Sequence, residues 1–290
     1  MNFNITTPET TQELLAQISK HQENNFRFGA GYTDLLLELK KQPDEDLTVI
    51  NLAQLNDEHF TSISELDDGI RVGTLVTANR ITYNEVLEKR YPVLYEAASK
   101  LASRQIRQVA TIGGNLCTAS PAGDIACALV ALEARCEMLK TDGTVIVVPI
   151  DDFFVGVKKN CLLKNEILRS IIIPSNSENS KLYSGFIKVG TRCSMEIAVV
   201  SLAYHIQSDE NGKITKAGVA IGSVAPTIKF AKSASEYLIG RSYTSIGTSK
   251  AEEFATKVLE YTLPISDIRA SAWYRKEALF NISKSIFESN

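Results

Sequence analysis

Apolar residues fall at helical spacing from Thr10 to Ile18, where Leu14, Leu15 and Ile18 share one face. Thr10 and Glu13 have the spacing of a capping box, which marks the start of that helix. The short run Phe26-Arg27-Phe28 reads as a strand leading into Gly29-Ala30-Gly31-Tyr32-Thr33-Asp34, and Leu35 to Leu39 reads as a short helix after the turn. Val49-Ile50 predicts a buried strand. Phe60–Ile63 and Ile70–Val72 flank Asp67-Asp68-Gly69, a hairpin turn. An alanine-rich helix is predicted from about Val93 to Leu101, and a buried helix over Ile125–Ala134. Between them lies the glycine-rich passage Thr111 to Asp124. Cys136–Leu139 and Thr144–Val148 form a second hairpin around Thr141-Asp142-Gly143.

The pattern changes at Ile173-Pro174, beyond which the chain turns polar with Ser and Asn, and this places a domain boundary between 1–174 and 175–290. Beyond it Tyr183–Val189, Ile197–Gln207 and Ile214–Val224 read as strands. Lys229–Ile239, Ser249–Tyr261 and Ser271–Phe287 read as helices. The expected class is α+β, with a front domain and a smaller rear domain of antiparallel sheet plus helices.

Composition narrows the function classes. Lys+Arg number 31 against 34 Asp+Glu, so the formal charge of -3 gives no basic surface for nucleic acid. No apolar run approaches the length of a membrane helix, and the N-terminus has no signal-peptide pattern. Five cysteines without a CxxC pair point to a reduced, cytoplasmic chain with no cysteine-held metal or cluster. The three histidines lack ligand spacing, so no metal site is expected.

The candidate chemistry lies in two glycine-rich passages about 80 residues apart. Glycine admits close approach of backbone to a ligand, and consecutive amides form an anion-binding nest. Thr33, Thr111 and Thr118 add hydroxyls and Asn115 an amide, whereas Asp34 and Asp124 would cap helices or accept sugar hydroxyls. Neither passage is a Rossmann or Walker fingerprint, and a lone glycine turn is usually only a turn. Cys117 is either a reactive thiol or a small buried residue. Lys188 interrupts an apolar strand pattern, the mark of a solvated edge residue or of a functional cation. The run Arg104-Gln105-Ile106-Arg107 reads as a solvated helix end or an anion-facing one. From the residues alone the reading is a phosphate-bearing ligand, such as a dinucleotide, held by two loops.

The order Ala30-Gly31-Tyr32-Thr33-Asp34-Leu35, Gln105-Ile106-Arg107, Thr111-Ile112-Gly113-Gly114-Asn115 and Ala119-Ser120-Pro121-Ala122-Gly123-Asp124 resembles the FAD-binding medium subunit of molybdenum hydroxylases of the xanthine dehydrogenase and carbon monoxide dehydrogenase type. The likeness continues through Asn165 to Leu168, Lys188 with Arg192, Gly222 to Pro226, and Ser266 to Arg275. The resemblance implies a two-subdomain FAD-binding domain in the front half. It implies that Phe28, Gly29, Ala30, Gly31, Tyr32, Thr33, Asp34 and Leu35 wrap the FAD pyrophosphate. Thr111, Ile112, Gly113, Gly114, Asn115 and Thr118 would complete the cradle with Asp124 beside it, Leu101 near the flavin, Leu168 against the ring and the Lys188 ammonium approaching the ring. Tyr32 departs from the family's usual second glycine, so it either adopts an unusual φ or covers the cofactor with its ring.

The resemblance further implies an FAD electron-transfer subunit. Molybdopterin would reside in a large partner chain, two [2Fe–2S] clusters in a small one, and electrons would leave FAD for NAD, oxygen or a quinone. The Thr33-Asp34-Leu35 form favours a xanthine dehydrogenase-like branch. A stand-alone FAD-dependent reductase and a non-catalytic binding module for a phosphate-bearing metabolite are the alternatives.

Overall fold

The computed structural model describes residues 3–41, 46–192 and 195–288, arranged as mixed helix and sheet. Among the described residues the front half holds two larger sheets and a two-stranded ribbon, Phe154–Gly156 with Lys159–Asn160. Strands Asn4–Thr6, Phe26–Gly29 and Thr48–Asn51 form a parallel sheet with Thr48–Asn51 in the middle. The helix Thr11–His21 packs over it through Leu14 and Ile18, and Thr10 caps that helix by accepting the Glu13 N–H.

The second sheet has five antiparallel strands. Glu166–Pro174 is its centre, flanked by Gly69–Gly73 with Ile63–Leu66 outside it, and by Arg135–Lys140 with Val145–Pro149 outside that. The hairpin expected around Asp67-Asp68-Gly69 is present, but Phe60 belongs to the helix Glu58–Thr61 rather than to a strand. The central strand carries no alternation: Ile171, Ile172 and Ile173 are all buried. Such a continuous apolar run lacks the alternation that marks a strand, although it pairs on both edges.

The rear half is a four-stranded antiparallel sheet of Lys181–Val189, Val200–Ser208, Ile214–Gly222 and Lys229–Phe230. Helices Lys232–Leu238, Thr248–Leu259 and Ala272–Ser285 cover one of its faces. Its other face meets the helices Pro92–Ser99 and Asp124–Ala131, so Phe186, Ala203 and Ala220 share one core with the front half.

The polar stretch after Pro174 is pinned rather than loose. Asn176 donates to the Arg90 carbonyl (2.6 Å) and accepts from both His205 Nε2 (2.8 Å) and Gln207 (3.2 Å). His205 Nδ1 accepts from the Ser184 hydroxyl (2.9 Å), an arrangement that suits the neutral ring. Burial lowers the pKa of His205 to about 4. The unfolded chain takes up this proton near pH 6.5, so the stabilising contribution is complete above 6.5 and is lost as pH falls towards 4. His205→Gln should therefore flatten the fall of melting temperature between pH 6.5 and 4; an unchanged slope would show that other groups govern it.

Candidate functional site

The first glycine passage leaves the strand Phe26–Gly29 and ends in the helix Leu35–Lys41. Tyr32 sits at φ 59, the left-handed region, so the missing glycine is met by strain in a tyrosine. Its ring lies on Gly29, where an added Cβ would come within 2.4 Å of the ring. The ring therefore covers its own loop as a lid over Gly29. Gly31 rests against the Val109 carbonyl, which would stand 2.0 Å from a Cβ. The N–H groups of Ala30, Gly31, Tyr32, Thr33 and Asp34 find no acceptor among the described residues. Consecutive free amides of this kind are the groups from which an anion nest can be built.

The second passage differs from the expected nest. Residues Ile112–Thr118 wind into a short helix capped by Thr111. Its leading amides are spent within the chain: Ile112 on the Val76 carbonyl, Gly113 on the Thr74 carbonyl (both 2.9 Å) and Gly114 on Thr111 Oγ1 (3.0 Å). The two glycines are not equivalent. A Cβ on Gly113 would collide with Thr74, Oγ1 lying 1.5 Å away, so Gly113 is required by packing. Gly114 is exposed, and its nearest obstacle is Thr111 Oγ1 at 3.0 Å. Bare backbone facing outward is the surface a ligand can approach.

Hydrogen bonds join the passages into one arc. Thr118 donates its hydroxyl to Asp34 Oδ2 (2.8 Å), which ties the short helix to the first loop. Asn115 Oδ1 accepts the Ala126 N–H (3.0 Å), fastening it to the helix Asp124–Ala131. Asp124 Oδ2 then accepts from Lys188 Nζ at 2.6 Å, and Lys188 also donates to the Lys100 carbonyl (3.3 Å). The Lys188 side chain is 8% exposed although its strand is an edge of the sheet, which corrects the solvated-edge reading. Its ammonium is held by a buried carboxylate.

Several candidate side chains are enclosed. Gly29 is buried, Leu35, Ile112 and Leu168 lie in apolar clusters, and Phe28 packs on one. Leu168 is 1% exposed, so its side chain has no free face for a ring. Leu101 is half-buried against the main core, and Arg107 donates to its carbonyl (2.8 Å) and to that of Ala102 (3.2 Å). Arg107 is thus a staple of this turn rather than an anion ligand. Burial pushes the Cys117 thiol up to about 12, which leaves it unreactive near neutrality. Sequence reasoning missed Val109, Thr74 and Lys100. Val109 and Lys100 act through backbone carbonyls, which no residue type announces. Among the described residues no His, Cys, Asp or Glu group is arranged to hold a metal, and no helix is long and apolar enough to cross a membrane.

Comparison with known proteins places this geometry in a family. Residues 1–176 match the family model described as the FAD binding domain in molybdopterin dehydrogenase, and residues 186–289 match the CO dehydrogenase flavoprotein C-terminal domain. The chain is similar to the nicotinate dehydrogenase FAD-subunit of Eubacterium barkeri, at 29% identity over 99% of this chain and 95% of the relative. The xanthine dehydrogenase FAD-binding subunit of Escherichia coli O157:H7 is 28% identical over 89% of this chain and 86% of its own. In fold it is similar to a chain of carbon monoxide dehydrogenase from Hydrogenophaga pseudoflava, with TM-score 0.88 and 23% identity over 98% of this chain and 96% of that one. The protein belongs to the family of molybdopterin dehydrogenase FAD-binding domains.

Proposed function

We propose that the chain is the FAD-holding, electron-transferring subunit of a heteromeric molybdenum hydroxylase. The observation that carries this is the pairing of the family match over 1–176 with an unspent run of loop amides at Ala30 to Asp34. Those amides suit the FAD diphosphate, and the outward backbone at Gly114 suits close approach of the cofactor. Thr33 would add a hydroxyl and Asn115 an amide, and the Thr118–Asp34 bond ties the second passage to the first loop. Lys188 would stand beside the ring, where a cation favours the electron-rich reduced flavin. When bound, FAD supplies reversible two-electron chemistry; the chain holds it, orients it and sets the charge around it. Enclosure of the Leu168 side chain leaves only backbone for a ring contact there.

Division of the chain near Pro174 fits this reading: the strand Glu166–Pro174 ends there and the rear sheet opens at Lys181. In this reading a large molybdopterin chain oxidises the substrate, a small chain with [2Fe–2S] clusters relays the electrons, and NAD, oxygen or a quinone accepts them from FAD. A subunit of such an assembly leaves apolar surface bare, and here Ile265, Ile268 and Trp273 are 70%, 100% and 70% exposed. The relatives include nicotinate and xanthine enzymes, so a xanthine-type branch rests on Thr33-Asp34-Leu35. A stand-alone reductase is not favoured, because the nicotinate and xanthine relatives matched along most of their length are named as FAD subunits.

The purified chain should be yellow, with FAD in stoichiometric amount. Its flavin should bleach on adding substrate only when both partner chains are present. A colourless chain that takes up no added FAD would sink the proposal. Turnover by the isolated chain with a pyridine nucleotide would restore the reductase reading.

A further inference from the structure

Asp124 holds the ammonium proposed to stand beside the flavin. Resting on that reading of Lys188, we propose that Asp124 is a positioning residue that fixes the Lys188 ammonium and offsets its charge, so that protonation of this one buried carboxyl sets the reduction potential of the bound flavin.

The geometry isolates the pair. Asp124 is 2% exposed and opens the helix Asp124–Ala131. Its Oδ2 receives Lys188 at 2.6 Å, while its Oδ1 is shut from solvent with no donor among the described residues. The charged groups that face Asp124 are Lys188, Lys100 and Glu196, and the neighbouring thiol is Cys127. The other two charges are committed elsewhere. Lys100 donates to Glu96 (3.2 Å) and to the Phe186 carbonyl. Glu196 accepts the Arg192 N–H (2.6 Å) and lies over Gly190. Lys188 is therefore the one cation in direct contact with the carboxyl among the described residues.

A carboxylate with one partner and one orphaned oxygen is costly to keep ionised away from water. Burial raises the pKa of Asp124 to about 6, against the opposing pull of Lys188. Ionised Asp124 makes the pair neutral, whereas protonated Asp124 leaves it with one positive charge. A net cation beside the ring favours the reduced flavin, which carries more negative charge. The potential should accordingly rise more steeply as pH falls through about 6. No proton or electron passes through the pair; it changes only the local charge.

The test is the midpoint potential of bound FAD from pH 5 to 8 in the wild-type chain, Asp124→Asn and Lys188→Gln. The reduced flavin ionises in all three, and the charge of the pair shifts that ionisation too, so each variant is compared with wild type at every pH. At pH 7.5, Asp124→Asn should favour the reduced form at least tenfold, a rise of about 30 mV for a two-electron couple. It should also lose the extra acid-side rise. Lys188→Gln removes both the ammonium and the pull that keeps Asp124 ionised, so it should give no such rise. A purely structural pair would move both variants in one direction or neither, and either result overturns the proposal. Should Asp124→Asn release flavin, Asp124→Ser makes the same comparison. Loss from both, in chains that remain folded, would make Asp124 a binding group and overturn its tuning role. A wild-type chain without FAD is recognised from its absorbance before any potential is measured, and defeats the cofactor reading itself.

Discussion

Arg275→Met is expected to destabilise the chain by about 2–4 kcal/mol, chiefly the cost of leaving buried carbonyls without their donor. Arg275 is 3% exposed on the last helix, Ala272–Ser285. Its Nη1 donates to the carbonyls of Val199 (2.6 Å) and Ser223 (2.8 Å), and its Nη2 to Asp267 Oδ1 (2.8 Å). One guanidinium thus fastens the helix to the strand ends of the rear sheet and to the loop before it. Methionine fills the space but leaves two carbonyls without a donor and Asp267 with Arg269 (3.3 Å) as its remaining cation. Arg275→Lys should recover only part of the loss, because a point donor cannot span the fork of acceptors. The check is chemical denaturation, and a loss below about 1 kcal/mol would show the clamp to be dispensable.

The same clamp is sensitive to acid. The Arg269 N–H, and then Arg275 and the Ala270 N–H, hold the Asp267 carboxyl down at about 2. An acid whose folded pKa lies below its unfolded value stabilises the fold above about pH 4 and loses that contribution as pH falls through 2. Arg275→Met should reduce this acid-side loss of stability.

Exchanging the adjacent glycines of the second passage should give opposite phenotypes. Gly114→Val should leave the melting temperature close to wild type and abolish FAD retention, since its side chain would cover the outward backbone. Gly113→Ala should destabilise by about 1–3 kcal/mol, the range for overpacking, because Thr74 crowds the Cβ with backbone as well as side-chain atoms. The measurements are flavin absorbance after gel filtration and thermal unfolding. If Gly114→Val keeps stoichiometric FAD, the cofactor does not pass over this helix. If both variants unfold alike, the distinction between the glycines is wrong.

Tertiary contacts explain where the sequence pattern fell short. Two adjacent glycines oppose helix formation. Yet residues 112–118 are helical because Val76 and Thr74 supply carbonyls from a distant turn and Gly113 fits against Thr74. The same contacts spend the leading amides of the second passage, whereas those of the first loop stay free. The Gly29–Tyr32 contact was half legible: a tyrosine in place of a glycine signals an unusual φ or a covering ring, but only the fold shows the left-handed φ and the ring on Gly29. Lys188 was visible as a misfit on an apolar strand. Its partner was not, since Asp124 lies 64 residues away and its own spacing suggested a helix cap.

By itself the sequence determined the two glycine passages, the rear strands and the odd lysine, all matters of local period and residue type. Its ordered motifs identified the family before any contact was known. The tertiary structure decided which amides stay free, which glycine is packing and which is surface, and whether Lys188 stands in water or against Asp124. Those are questions of long-range pairing and burial, and they turn on carbonyls and side chains that neighbouring sequence does not contain.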